Sequence, residues 1–260
     1  MFRSQNIAQK IAAELVQAGL RPGAVILVHS SLSRLGWVEG GPETVIQGLR
    51  LALGPEGTLL LPAFSYASVG QANPYFNVRN TPSCVGAIPE FFRKQPGVIR
   101  SVHPTHSVCG IGRMAAALCG EHHLDSTPVG AHSPLRKVRD LFGQVVFLGC
   151  GMGPDTSMHG VEELARPPYL LREFITYHIT LTDGSHTALA HRHHDFRGWR
   201  QRYDRLQAFL EPGSELHVGK VLEGTVHIVE ARALWKRALA IYQANPFAFV
   251  EQLRNPINER

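Results

Sequence analysis

Two apolar segments on either side of one amphipathic stretch most constrain the fold of this chain. They cover residues 23–29 and 58–64, and each is bounded by glycine and polar residues. Between them the pattern predicts a helix over 41–53, with Pro42 at a favoured first position. A strand–helix–strand unit of this kind predicts two parallel strands joined by a right-handed crossover. Uninterrupted apolar strands also predict a sheet that is covered on both faces.

The rest of the chain predicts further strands and helices. Residues 174–181 and 187–191 alternate in polarity around Asp183-Gly184, which predicts a hairpin. A strand over 145–149 should lead through a glycine-rich turn into a helix that carries His159. The other predicted elements are a polar loop at 66–83, helices near 86–94, 133–141, 196–209 and 231–243, an irregular strand over 98–112 and a strand pair over 218–229.

Composition narrows the class of protein. The chain has 260 residues, 44% of them hydrophobic and 18% charged, with a formal net charge of +5. This size predicts one large globular domain or two closely merged ones. A single domain over residues 1–260 is expected, and a substrate-side subregion near 170–230 is left open. A basic balance favours anionic ligands. Because the basic residues are scattered along the chain, no nucleic-acid partner is expected.

Location is predicted from the apolar segments and the cysteines. The sequence has no run of about 18 apolar residues, so no membrane span is expected. The amphipathic pattern over residues 1–17 differs from the apolar block of a signal peptide. The four cysteines lack CxxC spacing and are expected to be reduced thiols. Together these features predict a cytoplasmic protein.

The segment around His159 is the strongest candidate for a catalytic group. On a helix, His159 shares a face with Glu162 and Glu163, which lie three and four residues further along. A histidine oriented by a carboxylate is a candidate general base. Asp155 or Thr156 is the predicted N-cap of this helix. The spacing fits neither HExxH nor HxxEH, which argues against zinc on this helix.

Three other segments are rich in ligand-binding groups. Small hydroxyl residues at 29–33 follow the first strand, where α/β sheets bind ligands. Segment 100–107 combines one arginine, two histidines and three hydroxyl residues, which predicts either a structural hydrogen-bond network or a binding site. Residues 191–195 approach an HxHxDH metal pattern, but Phe196 replaces the last histidine, so no metal site is predicted.

The order and spacing of these motifs resemble those of the aminoglycoside 3-N-acetyltransferase family. The resemblance spans roughly residues 8–200 and is more specific than any one motif. It rests on Val28-His29-Ser30-Ser31-Leu32, Gly40-Gly41, Leu53-Gly54-Pro55-Glu56-Gly57-Thr58-Leu59, Pro62, Asn80-Thr81-Pro82, Arg93 to Arg100, Ser101-Val102-His103-Pro104-Thr105-His106-Ser107, His132-Ser133-Pro134, Leu148-Gly149-Cys150-Gly151 and Asp155-Thr156-Ser157-Met158-His159.

The resemblance implies a layered α/β fold with a mixed central sheet flanked by helices, distinct from the GNAT fold. It implies acetyl-CoA-dependent acetylation of an aminoglycoside amine, an antibiotic-resistance activity, with His159 and Glu162 as catalytic residues. The implied acetyl-CoA contacts are His29, Ser30, Ser31, Leu32, Arg34, Arg100, Ser101, His103, Thr105, His106 and Ser107. The predicted substrate contacts are Tyr66, Asp155, Thr156, Glu163 and Asp195.

The identity of the acceptor amine stays open at this point. Residues 65–72 and 188–193 contain no acid, although enzymes that bind polycationic substrates usually present carboxylates. A different acceptor amine is one alternative. A metal-dependent hydrolase that uses His191, His193, Asp195 and His159 is another, and a non-catalytic coenzyme A-binding protein is a third. The expected partner is a small-molecule amine, with homodimer formation left open.

Overall fold

The computed structural model describes residues 2–253, and the predicted strand–helix–strand unit lies at its centre. The helices are α1 (Phe2–Gln17), α2 (Gly41–Leu53), α3 (Ala87–Phe92), α4 (Ala115–Cys119), α5 (Pro134–Asp140), α6 (Met158–Ala165) and α7 (Ala231–Ala244). The strands are β1 (Val25–Ser30), β2 (Thr58–Pro62), β3 (Tyr75–Asn77), β4 (Ile99–Arg100), β5 (Val108–Gly112), β6 (Gln144–Leu148), β7 (Leu171–Thr180), β8 (His186–His194), β9 (Trp199–Gln201), β10 (Leu216–Val221), β11 (Gly224–Glu230) and β12 (Val250–Gln252).

A seven-stranded mixed sheet forms the centre of the fold. Its strand order is β10-β11-β6-β1-β2-β5-β4. Strand β1 is central and runs parallel to both β2 and β6. The outer pairs, β2 with β5, β5 with β4, β6 with β11 and β11 with β10, are antiparallel. The predicted mixed α/β fold is therefore confirmed.

Both faces of this sheet are covered, as the uninterrupted apolar strands predicted. Alternate residues of β1 enter opposite cores: Leu27 joins one cluster, whereas Ile26 and Val28 join the other. Helices α1, α2 and α3 pack on the Ile26 face, and α4, α5, α6 and α7 pack on the Leu27 face. This alternation follows from the two-residue period of a strand.

A smaller sheet lies beside the main one. The predicted hairpin forms β7 and β8, with the turn at Asp183-Gly184, and β3 joins it in parallel with β7. The strand pair predicted over 218–229 is also present as β10 and β11, and the closing helix as α7. No helix among residues 2–253 is long and apolar enough to cross a membrane.

The helix predicted over 196–209 is wrong. Residues Trp199–Gln201 instead pair with Val250–Gln252 as strands β9 and β12, and Tyr203–Phe209 form a 3-10 helix. Gly198 has a φ of 83°, which breaks a helical path at that point. The irregular strand over 98–112 is two strands, β4 and β5, separated by the loop 101–107. Pairing with a segment fifty residues away overrides the local helical pattern.

Close packing of α6 against α7 depends on Gly160. A Cβ atom on Gly160 would lie 2.1 Å from Trp235 Cη2 and 2.7 Å from Val129 Cγ1. We expect Gly160→Ala to lower the free energy of unfolding by about 2 kcal/mol, since overpacking outweighs the helix-propensity gain of alanine. Urea unfolding measures this, with Gly153→Ala as control because a Cβ there meets nothing within 4 Å. Equal stability of both variants would contradict it.

Candidate active site

A cavity of about 550 Å³ opens where the parallel strands end. The carboxyl ends of β1, β2 and β6 meet at this edge of the sheet, which is where open α/β sheets bind ligands. A larger cavity of about 820 Å³ lies between α2 and α3, but no histidine, cysteine, serine or tyrosine lines it among the residues described. The smaller cavity is lined by Val28, His29, Ser30, Pro62, Phe64, Tyr66, Val85, Pro89, His106, Gly153, Pro154, Asp155, Thr156, His159, His194, Phe196, Gln201 and Tyr203.

His159 and Glu162 form a buried pair on α6. His159 Nδ1 lies 3.1 Å from Glu162 Oε2, as the three-residue helical spacing predicts. The Glu162 carboxylate also accepts hydrogen bonds from the hydroxyls of Tyr203 (2.9 Å), Tyr242 (2.7 Å) and Tyr169 (3.3 Å). With Nδ1 directed at a carboxylate, Nε2 is the nitrogen that His159 offers to the cavity. This is the arrangement that a histidine general base requires.

The tyrosine hydroxyls hold Glu162 in place as donors. Burial, together with the charge of Glu162, raises the pKa of Tyr203 well above its ordinary value. The same causes raise the pKa of Tyr242. Both phenols therefore stay protonated and donate to the carboxylate, which is fully buried. A carboxylate held by several donors fixes the tautomer and ring orientation of His159.

Two further histidines surround His159. The ring centroid of His194 lies 5.0 Å from that of His159, and the ring of His106 lies 5.7 Å from it. His106 Nδ1 is 2.8 Å from the hydroxyl of Thr105, and His194 Nε2 is 2.8 Å from Glu163 Oε1. Burial lowers the pKa of both His106 and His194. The cavity wall is therefore rich in neutral imidazoles.

The helix that carries His159 begins one or two residues later than predicted. Ser157 is its N-cap, so the assignment of Asp155 or Thr156 to that position is wrong. Asp155 Oδ1 instead accepts hydrogen bonds from the backbone N–H and the hydroxyl of Ser157. Burial raises the pKa of Asp155 to about 6. This loop presents Asp155 and Thr156 to the cavity.

Of the predicted contacts at the end of β1, His29 and Ser30 line the cavity. His29 stacks on Phe147 at 5.2 Å, and burial lowers its pKa to about 3. Ser31, Leu32 and Arg34 do not belong to the wall, and the Ser31 N–H is already bonded to the Leu148 carbonyl. The structure therefore brings only the first two of these residues to the cavity.

Segment 100–107 is mainly a structural network. Arg100 donates to Ser107 Oγ at 2.8 Å and to the carbonyls of Ala63, Val78 and Thr81. Ser101 Oγ lies 2.9 Å from His122 Nδ1, and His103 Nδ1 accepts the backbone N–H groups of Thr105 and His106. Most of these polar groups are buried and paired within the protein, which indicates a structural role, although His103 Nε2 has no partner among the described residues. The cofactor contacts implied for this segment stay a prediction. His106 is the member of this segment that reaches the cavity, with Thr105 orienting it.

Three of the five predicted substrate contacts line the cavity and two do not. Tyr66, Asp155 and Thr156 line the cavity. Glu163 does not line the cavity but lies behind His194, where it accepts hydrogen bonds from Thr127 Oγ1 and the Val129 N–H and lies 2.8 Å from His194 Nε2. Asp195 binds the guanidinium groups of Arg172 and Arg197. Both carboxylates are thus engaged by groups of the protein, and their contact with a substrate stays a prediction.

Sequence reasoning missed His194, Phe196, Gln201 and Tyr203 as cavity residues. Their convergence on the end of β1 depends on how β8, β9 and the following 3-10 helix fold back, which carries no local signal. The HxHxDH-like spacing of residues 191–195 singles out His191, His193 and Asp195, and not His194. His191 packs against His103 with ring centroids 4.6 Å apart, outside the cavity.

Comparison with known proteins identifies the family. A family model described as aminoglycoside 3-N-acetyltransferase matches residues 27–243. Aminoglycoside N(3)-acetyltransferase IV from a Salmonella species is 29% identical over 243 residues, which are 93% of this chain and 89% of that protein. The chain belongs to the aminoglycoside 3-N-acetyltransferase family. This confirms the family, the enzyme class of acyltransferase and the acetyl-CoA co-substrate that the motifs predicted.

Solved structures of the family share the fold. AAC(3)-IVa in complex with a gentamicin has a TM-score of 0.78 and 29% identity, covering 95% of this chain and 91% of that one. AAC-IIIb in a binary complex with CoASH has a TM-score of 0.78 and 25% identity, covering 96% and 98%. The aminoglycoside 3-N-acetyltransferase fold thus extends over nearly the whole described chain.

Proposed function

We propose that this protein acetylates an amino group of an aminoglycoside, with acetyl-CoA as donor and His159 as general base. The observation that carries this proposal is the buried His159–Glu162 pair on the wall of the cavity at the carboxyl ends of the parallel strands. The family to which the chain belongs supplies the reaction class. The roles of individual residues follow from the geometry described above.

The reaction needs a base because an ammonium has no lone pair with which to attack a thioester. His159 Nε2 takes one proton from the amine as its nitrogen attacks the acetyl carbonyl carbon. The C–N bond forms, the tetrahedral intermediate collapses and the C–S bond breaks, so that coenzyme A leaves as a thiolate. Glu162 stabilises the imidazolium that His159 becomes during this transfer.

Two hydroxyl groups on the wall of the same cavity as His159 are suited to bind the acetyl oxygen. Ser30 Oγ and Thr156 Oγ1 are buried and have no hydrogen-bond partner within the described part of the chain. Both residues line the cavity. Buried polar groups are normally paired, so these two hydroxyls favour a ligand as their partner. We assign them to the oxyanion that develops on the acetyl carbonyl.

The cavity constrains the acceptor amine. Within residues 2–253, Asp155 is the only carboxylate on the cavity wall, since Glu162 lies behind His159. A polycation would therefore bind mainly through its hydroxyls and through one or two ammonium groups. This scarcity of acid favours, as a second candidate, an acceptor amine of lower charge than an aminoglycoside.

A panel of amines tests the proposal and separates the two candidates. We expect thiol release from acetyl-CoA in the presence of aminoglycosides that carry a 3-amino group, with little release from aminoglycosides that lack it. Faster turnover of a monoamine than of every aminoglycoside would favour the second candidate. The absence of thiol release with every amine, from protein that binds acetyl-CoA, would reject acetyl transfer.

A cytoplasmic location remains part of the proposal. The cysteines Cys84, Cys109, Cys119 and Cys150 are all free, which favours a reducing compartment. Acetyl-CoA is also an intracellular metabolite. Homodimer formation and the division into one domain with a subregion near 170–230 remain predictions.

A further inference from the structure

We propose that His106, His159 and His194 form a binding site for a zinc-type divalent ion, and that the bound ion blocks acetyl transfer. The three imidazoles come from a loop, from α6 and from β8, and all three line the cavity. The binding half of the proposal rests on these side chains alone. The inhibitory half rests on the proposed role of His159 as general base.

The spacing of three ring nitrogens suits a shared metal ion. One ring nitrogen from each histidine lies within 4.8 Å of the other two. A tetrahedral zinc ion with Zn–N bonds of about 2.1 Å holds its ligand nitrogens about 3.4 Å apart. The rings therefore need to move together by roughly 1 Å, within the reach of small side-chain rotations. The fourth position would open to the cavity and hold water.

The hydrogen-bond partners of the other three ring nitrogens also suit metal binding. His159 Nδ1 bonds Glu162, His194 Nε2 bonds Glu163, and His106 Nδ1 bonds the Thr105 hydroxyl. Metal-binding histidines have this outer contact, in which one nitrogen is fixed by a carboxylate or another polar group. The nitrogens that remain are His106 Nε2, His159 Nε2 and His194 Nδ1.

The unpaired Nδ1 of His194 favours an ion at this position. Its side chain is only 3% exposed, and Nδ1 has no hydrogen-bond partner within the described residues. No step of the proposed acetyl transfer uses this buried nitrogen. An ion shared with His106 and His159 would give it a partner. Three imidazoles that share one small space form a typical zinc ligand set.

The same nitrogens explain why the ion would inhibit. The lone pair of His159 Nε2 is used either to bind the metal or to accept the proton of the amine, and it cannot do both at once. A metal ion and the acceptor ammonium also compete for the same place between the three rings. The inhibition should therefore be competitive with the amine and not with acetyl-CoA.

Cobalt provides a readout of the site that does not depend on activity. Chelator-treated full-length protein is titrated with Co²⁺, and we expect one equivalent to give the visible absorption of tetrahedral cobalt. His194→Ala should weaken Co²⁺ binding at least tenfold. His186→Ala, an exposed histidine on the same strand, is the matched control and should bind as the unmodified protein does. Absence of saturable binding, or equal binding by both variants, would overturn the site.

Inhibition of acetyl transfer by zinc tests whether the bound ion blocks the reaction. With an amine that the protein acetylates, micromolar Zn²⁺ should raise the apparent KM for the amine, and excess chelator should restore the rate. Stoichiometric Co²⁺ binding without zinc inhibition would overturn the blocking role. If no amine is acetylated, the proposed function fails, whereas the cobalt titration still decides whether the metal site exists.

Discussion

His159→Ala should lower kcat roughly 100- to 10,000-fold, the contribution typical of a positioned general base. Acetyl-CoA binding should be unchanged, because the substitution removes a proton acceptor at the cavity wall and leaves the β1 end of the cavity intact. Thiol release under saturating acetyl-CoA and aminoglycoside measures the rate, and isothermal titration with coenzyme A measures the binding.

His186→Ala is the control for this loss of rate, because it removes an exposed imidazole from the edge of the smaller sheet. A His159→Ala variant that folds, binds coenzyme A and retains near-normal kcat would show that another group takes the proton. His106 and His194, whose rings lie within 6 Å of His159, would then be the next candidates.

Acidification should destabilise the folded protein strongly. Burial lowers the pKa of His122 to about 3 and that of His191 to about 4, from an ordinary 6.5. The unfolded chain therefore takes up protons below pH 6.5 while the folded protein does not, and stability falls as the pH falls through this window. Each of these two histidines should lower the free energy of unfolding by about 2 kcal/mol as the pH falls from 7.5 to 5. Asp155 acts in the opposite direction: because its pKa is raised to about 6, it should raise the free energy of unfolding by about 1 kcal/mol over the same range.

These three groups together should lower the free energy of unfolding by about 3 kcal/mol, and the lowered pKa values of His29, His103, His106 and His194 add to this loss. The free energy of urea unfolding at the two pH values should therefore differ by at least about 3 kcal/mol. His191→Phe provides a specific check. Neither nitrogen of His191 has a hydrogen-bond partner in the part of the chain that the structure describes. The variant therefore removes a titrating group without removing a bond, and its stability should change less with pH. An unfolding free energy that stays constant from pH 7.5 to 5 would contradict the prediction.

The sequence predicted those features that depend on neighbouring residues. The His159–Glu162 contact follows from helical spacing, and the hairpin at Asp183-Gly184 follows from turn chemistry. The two-sided core follows from the apolar runs that became β1 and β2. Each of these depends on residues that lie close together in the chain, where period and turn preference decide the conformation.

Features that depend on distant segments were missed or misassigned. His194 approaches His159 only because β8 returns toward α6, and Trp199–Gln201 is a strand only because Val250–Gln252 pairs with it. The burial of Arg100 was equally hidden, since its carbonyl partners at 63, 78 and 81 lie on other loops. A mixture of polar residues in sequence does not reveal whether they face a ligand or each other.

The contact between α6 and α7 makes catalytic competence depend on the last helix of the described chain. Trp235 lies against Gly160, and the Tyr242 hydroxyl donates to Glu162 behind His159. During synthesis, a chain that extends only through β11 already contains His159, Tyr169 and Tyr203, yet it lacks Tyr242, one of the three donors to Glu162, and the packing of Trp235. The catalytic pair therefore gains its full set of hydrogen-bond donors only when α7 has packed against α6.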